Sequence, residues 1–167
     1  MSMHDMYAAF ELIRNNASFV DFAGPQPDDR VTRAQAALGI DFPPTYEEFV
    51  AMLGCGGLGS AEFYGVVADD FERSSAPDAI WLTLKHRKDC SIPDDFIVVG
   101  STGDGGFYAI DTAKKNADGE GPVVEWWPGF PDADDSPRVV APDFGAFFLD
   151  EITQAIARAK CRSRDAE

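Results

Sequence analysis

The stretch from Leu38 to Gly59 constrains the fold more than any other part of the chain, because both ends of a helix are written into it. Pro43 and Pro44 hold the residues before them extended. Thr45 and Glu48 fit the T-x-x-E capping box, in which the hydroxyl accepts from the third helical amide and the carboxylate reaches back. Tyr46, Phe49, Val50 and Leu53 then recur at i, i+3, i+4 and i+7, which makes one buried face. The glycines from Gly54 to Gly59 end this helix and turn the chain into a strand expected over 61–66. A helix that must exit directly into a strand ties the two kinds of structure together in one layer arrangement.

A second pattern specifies a hairpin. Phe96-Ile97-Val98-Val99-Gly100 reads as a strand introduced by Pro93 and the Asp94-Asp95 pair. The run from Ser101 to Gly106 is a turn, since its glycines tolerate positive φ, and 107–111 returns as the partner strand. Asp118-Gly119-Glu120-Gly121 turns the chain again before a strand over 123–127. These connections are too short for crossover helices, so the three strands are expected to pair antiparallel. Helices are predicted over 3–14 (with Ser2 and Asp5 resembling a capping box), 30–38 (stopped by Gly39), 78–87 (Ile80, Trp81 and Leu84 inward) and 144–160, with a loop over 20–30. The last of these places Phe144, Phe148, Ile152, Ala155, Ile156 and Ala159 on one face, with Arg158, Lys160 and Arg162 at its negative end. The expected class is α+β, one domain over 1–167 with a central antiparallel sheet flanked by N- and C-terminal helices.

The chain carries 29 acidic and 14 basic side chains, for a formal net charge of −15. The balance is −5 over residues 1–50, −4 over 51–100, −7 over 101–150 and +1 over 151–167, so only the C-terminal tail escapes the acidity. Such a field repels phosphate backbones and disfavours direct nucleic-acid binding, while it draws basic partners inward. Cys55, Cys90 and Cys161 are widely spaced and form no CxxC, which argues against a zinc knuckle or a redox pair and for reduced thiols. No basic-then-apolar leader and no long apolar run is present, so a cytoplasmic protein with no membrane contact is expected. The sequon Asn16-Ala17-Ser18 is accidental on that reading.

Three motifs resemble chemical sites and each fails on context. Gly54 to Gly59 satisfies G-x-G-x-x-G, but the dinucleotide fingerprint needs a strand before it and a helix after it, and here the order is reversed. Asp132, Asp134, Ser136 and Asp143 occupy calcium-loop positions 1, 3, 5 and 12, but Pro137 stands where the loop needs glycine and the bidentate Glu is missing. His4 and His86 have no carboxylate or thiol partner in a recognisable motif, so no nucleophilic triad is supported. No catalytic residue, metal site or cofactor is therefore expected. Trp126 and Trp127, if both lie on a strand, must point to opposite faces, leaving one ring for the core and one for solvent, a helix or a partner.

The ordered set of segments resembles the SUKH superfamily, which includes yeast cell-wall-synthesis regulators and bacterial immunity proteins. The matching features are Leu38-Gly39, Pro43 and Tyr46 before the helix, Gly56-Gly57 at its exit, and the 96–100 strand. They continue through Gly105-Gly106, Tyr108-Ala109-Ile110-Asp111 and Val123-Val124-Glu125-Trp126, spanning about residues 30–150. The acidic insert from Pro131 to Pro137 departs from the pattern. The resemblance implies a non-enzymatic α+β domain that binds a protein partner. Among bacterial members that partner is commonly a toxin, often a nuclease, and among eukaryotic relatives the role is regulatory. A nuclease is basic where it holds phosphate, which suits an acidic inhibitor. Charge and loop position, independently of the family, nominate Glu62, Asp104, Glu125, Trp127, Asp132, Asp134 and Asp135 as partner-binding residues.

Overall fold

The computed structural model describes residues 2–75, 77–129 and 137–166. Its elements are, in chain order, α1 (Ser2–Asn15), β1 (Val20–Phe22), α2 (Asp28–Leu38), α3 (Pro44–Leu53), β2 (Gly56–Leu58), β3 (Ala61–Phe63), α4 (Ala79–Cys90), β4 (Phe96–Ser101), β5 (Phe107–Asp111), β6 (Val123–Trp126), β7 (Val139–Ala141) and α5 (Phe144–Asp165). The expected α+β class is what the chain adopts, with its antiparallel strands divided between two sheets. One has the order β1-β2-β3 and the other β4-β5-β6-β7. Tyr64, just past β3, donates its amide to the Val99 carbonyl on β4 at 2.8 Å and so joins them.

Three strands escaped the sequence reading, one of them β2, which the glycine cluster itself forms. β1 lies in the segment expected to be a loop, and β7 follows the acidic insert. Each has three residues, too short to display an alternation of its own. The glycine cluster also does more than turn the chain. Gly56-Gly57-Leu58 forms the middle strand of the first sheet, paired to β1 on one side and β3 on the other. A Cβ on Gly57 would lie 2.0 Å from the Ala61 carbonyl oxygen, so the neighbouring backbone occupies the space of a side chain there. These glycines are a packing requirement as well as a helix stop.

The start of α3 corrects the capping-box expectation. Pro43 occupies the cap position and has no side-chain acceptor, and Thr45 already lies inside the helix. Its free amide donates instead to Glu120 Oε1 and its hydroxyl to Glu120 Oε2, both at 2.9 Å. Glu120 is only 2% exposed and comes from the β5–β6 connection, far along the chain. That turn is closed on itself, with Asn116 Oδ1 accepting from the amides of Asp118 and Glu120. A helix end thus receives its acceptor from the second sheet rather than from its own flank. Similarly, the Ser2 hydroxyl donates to Asp143 Oδ2 at 2.8 Å, while Asp143 Oδ1 accepts from Ala146 and caps α5. Asp143, the one calcium-loop candidate among the described residues, is therefore a helix cap, and Asp132, Asp134 and Ser136 lie outside them.

The main core lies between α1, α3, α5 and the sheets. Phe49 of α3 faces Phe144 and Phe148 of α5, each at 5.3 Å between ring centroids, and Phe63 of β3 packs on Phe148 at 4.6 Å. All four rings are essentially inaccessible to solvent. On the other face of the second sheet, Phe96, Val98, Ala109 and Val124 pack against Ala79 and Leu82 of α4 and against Ile92. Asp78 caps α4 by accepting from the amides of Ile80 and Trp81, both at 2.9 Å. Ile80 is fully buried as expected, but Leu82 takes the inward place given to Trp81 and Leu84, which are half-buried.

Glu120 offers a direct test. Burial raises its carboxyl above the usual range, opposed by the bonds from Thr45. A folded state that holds this proton more strongly loses stability as pH rises from the ordinary glutamate range through the raised value. Glu120→Gln keeps an acceptor for the Thr45 amide and removes that decline, whereas Glu120→Ala leaves two buried donors unpaired and costs about 1–3 kcal/mol. Urea unfolding of the three proteins between pH 4 and 8 checks both expectations.

Candidate functional site

Of the seven nominated residues, Asp132, Asp134 and Asp135 lie outside the described residues. The structure brings three others to one end of the second sheet. Glu125 on β6 pairs in register with Tyr108 on β5, and Tyr108 with Gly100 on β4. The Tyr108 ring rests on Phe147 of α5 at 5.0 Å, which leaves it half-buried. Burial raises its phenol, and the charges of Glu151, Glu125 and Asp104 raise it further, in that order. Three carboxylates from three different elements therefore share one tyrosine. Arg138 opposes them, meeting Glu125 at 3.2 Å. Asp104 is exposed at the hairpin tip, where it accepts a hydrogen bond from the Thr102 hydroxyl.

Trp127 lies just past β6 and folds back over the hairpin. A Cβ on Gly106 would come within 2.7 Å of its indole, so this glycine makes room for the ring. Trp126 joins the opposite cluster beside His86, at 5.3 Å, and Phe107, at 6.2 Å. Both indoles are half-buried against their own chain. Neither stands free as an anchor would.

Glu62 belongs to a separate place. On the first sheet Asp21, Gly57 and Glu62 are paired in register, one residue from each strand. Their neighbours in register, Phe22 and Phe63, point to the core, so this row faces away from it. Asp21 and Glu62 are exposed and border a groove of about 630 Å³ that also has Phe19, Cys55, Gly56 and Pro77 on its walls. The Cys55 thiol, 5% exposed, is pushed up to about 11, first by burial and then by the charges of Asp78, Glu62 and Asp21. It is a neutral thiol at physiological pH rather than a nucleophile. Asp21 and Tyr108 were missed by the sequence reading. Asp21 lies in a three-residue strand too short to show a period, and the spacing around Tyr108 marks it only as a strand residue.

His86 has neither the solvent nor the partner that catalysis would need. It is 9% exposed, its ring lies 4.6 Å from Phe107, and neither ring nitrogen has a hydrogen-bond partner among the described residues. Burial lowers its affinity for a proton, and neighbouring Lys85 lowers it further against the pull of Asp89. Arg87, next in sequence, donates to the Leu38 carbonyl at 2.9 Å and so satisfies the C-terminal end of α2. The basic cluster around His86 is in this respect an inter-helix clasp. Among the described residues, no three His, Cys, Asp or Glu side chains converge in a way that could hold a metal ion. None of the described helices is long and apolar enough to cross a membrane.

The architecture is thus an α+β fold in which some acids secure helix ends and turns and others stay at the surface. Residues 28–148 match the SUKH_6 family, described as SMI1-KNR4 cell-wall, and the chain belongs to that family. The match begins at the first residue of α2 and ends within α5, so β1 and the groove wall formed by Phe19 and Asp21 precede it.

His86 sets an acid limit on stability. Because its folded-state proton affinity is depressed, the stability of the neutral ring is present above the ordinary histidine range and is lost as pH falls through the folded value. An apolar replacement leaves no unpaired nitrogen behind. Denaturant unfolding of His86→Leu should show stability within about 1 kcal/mol of the parent at pH 8 and a flatter profile between pH 7 and 5.

Proposed function

We propose that this chain is a non-enzymatic protein-binding domain of the immunity type, which acts in the cytoplasm and neutralises a cognate toxin by covering its basic surface. The reading is supported by family membership together with one observation: three acids that cap no helix meet around one tyrosine near the hairpin end, with Arg138 the cation beside them. Asp78, Asp143 and Glu120 serve helix ends, and Asp69 ties its loop to Arg30 and Arg33 of α2. Asp104, Glu125 and Glu151 instead surround Tyr108 near the hairpin end. Asp132, Asp134 and Asp135 add further negative charge in the adjoining sequence. A field of one sign accelerates encounter with a basic partner and penalises acidic ones. A nuclease, whose substrate groove is basic, fits this chemistry.

A second reading is a regulator that binds an endogenous partner. It is favoured by the description of the matched family, SMI1-KNR4 cell-wall. The two readings separate by the identity of the partner.

The test is binding and protection against a toxin encoded beside the gene. The purified chain should form a complex with it and preserve growth of cells expressing it. Asp104→Lys with Glu125→Lys should slow association about tenfold at low salt, with a smaller change in dissociation. Neither binding nor protection with any neighbouring toxin would overturn the immunity reading, and capture of an endogenous partner by the same surface would support the regulatory one.

A further inference from the structure

The groove on the first sheet has a composition that favours one kind of guest. Its floor is the backbone of Gly56 and Gly57, and no side chain rises from the middle strand at the row Asp21–Gly57–Glu62. Strands spaced by about 4.8 Å place the two acidic residues roughly 10 Å apart at the Cα, one on each side of a bare peptide strip. Neither carboxylate has an ion-pair partner among the described residues. Arg158 of α5 approaches that end of the sheet, but its guanidinium is held by Ser60 at 3.2 Å and Gln154 at 3.0 Å. The glycine floor cannot be filled in by mutation drift toward side chains, since the Cβ position of Gly57 lies on the Ala61 carbonyl and that of Gly56 lies 2.1 Å from the Asp21 carbonyl. The open strip is built into the sheet.

A further polar group belongs to this groove. Cys55 lines it and is 5% exposed, and its thiol is raised first by burial, then by Asp78, and after these by the two wall carboxylates, Glu62 and Asp21. Phe19 and Pro77 supply apolar rims on which an alkyl stem can lie.

We infer that this groove receives an arginine side chain of the protein partner, with the guanidinium laid flat over the Gly57 peptide between Asp21 and Glu62. A guanidinium suits the place better than an ammonium. It is planar, so it stacks on a peptide strip, and its two donor edges face about 120° apart, so one group can meet both carboxylates. An ammonium is a compact, strongly hydrated point charge that satisfies one wall at a time. The inference rests on the protein-binding reading above and adds a named subsite to it. Phe19 and Asp21 precede the family match while Gly57 and Glu62 lie inside it, so this subsite spans the start of the matched region.

The test uses the full chain and two small probes, N-acetyl-arginine amide and N-acetyl-lysine amide, followed by amide chemical shifts. The arginine probe should give saturable shifts at Gly56, Gly57, Cys55 and Glu62, with an apparent Kd at least about threefold lower than the lysine probe. Asp21→Asn with Glu62→Gln, both at exposed positions, should weaken the arginine probe about tenfold, whereas Asp104→Asn should leave it unchanged. The thiol titration of Cys55 gives a second readout in a Cys90→Ser, Cys161→Ser background. It should move down in the double groove variant and also when the arginine probe is bound. Shifts spread evenly over all acidic surfaces, equal affinity for both probes, or insensitivity to the groove variants would overturn the subsite. A partner that binds undiminished when the groove is neutralised would remove the subsite and leave the binding reading standing. Arginine capture without any partner would do the reverse.

Discussion

Phe49 is the contact on which the rest of the molecule depends. Its ring meets Phe22 of β1, Phe63 of β3, and Phe144 and Phe148 of α5, while Tyr46 lies beside it on its own helix. The first sheet, α3 and the C-terminal helix are therefore assembled around a single aromatic side chain. Aromatic pairs of this kind add to the burial of apolar area, because edge and face carry opposite partial charge. The approach is close only where side chains give way. A Cβ on Gly65 would lie 1.7 Å from the Gly54 carbonyl and 3.2 Å from the Phe49 ring, so the chain can pass under the ring only as glycine.

Around that core, carboxylates do two kinds of work. Some are drawn inside: Glu120 satisfies donors of α3 that its own flank leaves unpaired, and Asp143 caps its own helix α5 while accepting from Ser2 at the far end of the chain. Such acids bind the elements together across long separations, so they belong to the stability of the fold. The remainder stay at the surface, where an excess of one sign sets the character of any partner. The net charge of −15 is thus not one property but two, and only the surface share is free for recognition.

The elements most legible in the sequence were those with a period long enough to repeat. The apolar face of α3, the face of α5 and the β4–β5–β6 meander all follow from spacing and turn residues, and they stand where expected. Three-residue strands such as β1 and β7 carry no such period, and pairing alone makes them strands. The T-x-x-E signal misled for a related reason. Pro43 and Pro44 already start the helix, so Thr45 falls two residues too deep to cap it, and its donors are met by a glutamate 75 residues away. The candidate site was legible in part: Asp104, Glu125 and Trp127 do converge at the hairpin end, but Glu62 belongs to the other sheet, with Asp21 as its counterpart.

The helix exit at Gly54 to Gly59 shows the division most clearly. The sequence by itself determined that a helix ends there, that a strand follows, and that no dinucleotide fold can be built on the reversed order, because these are local consequences of glycine and of element sequence. Only the tertiary structure decided that Gly56 and Gly57 become a middle strand, closely flanked by β1 and β3 and open on one face between two acids. That outcome depends on pairing between segments separated in the chain, and a glycine carries no record of which backbone will lie against it.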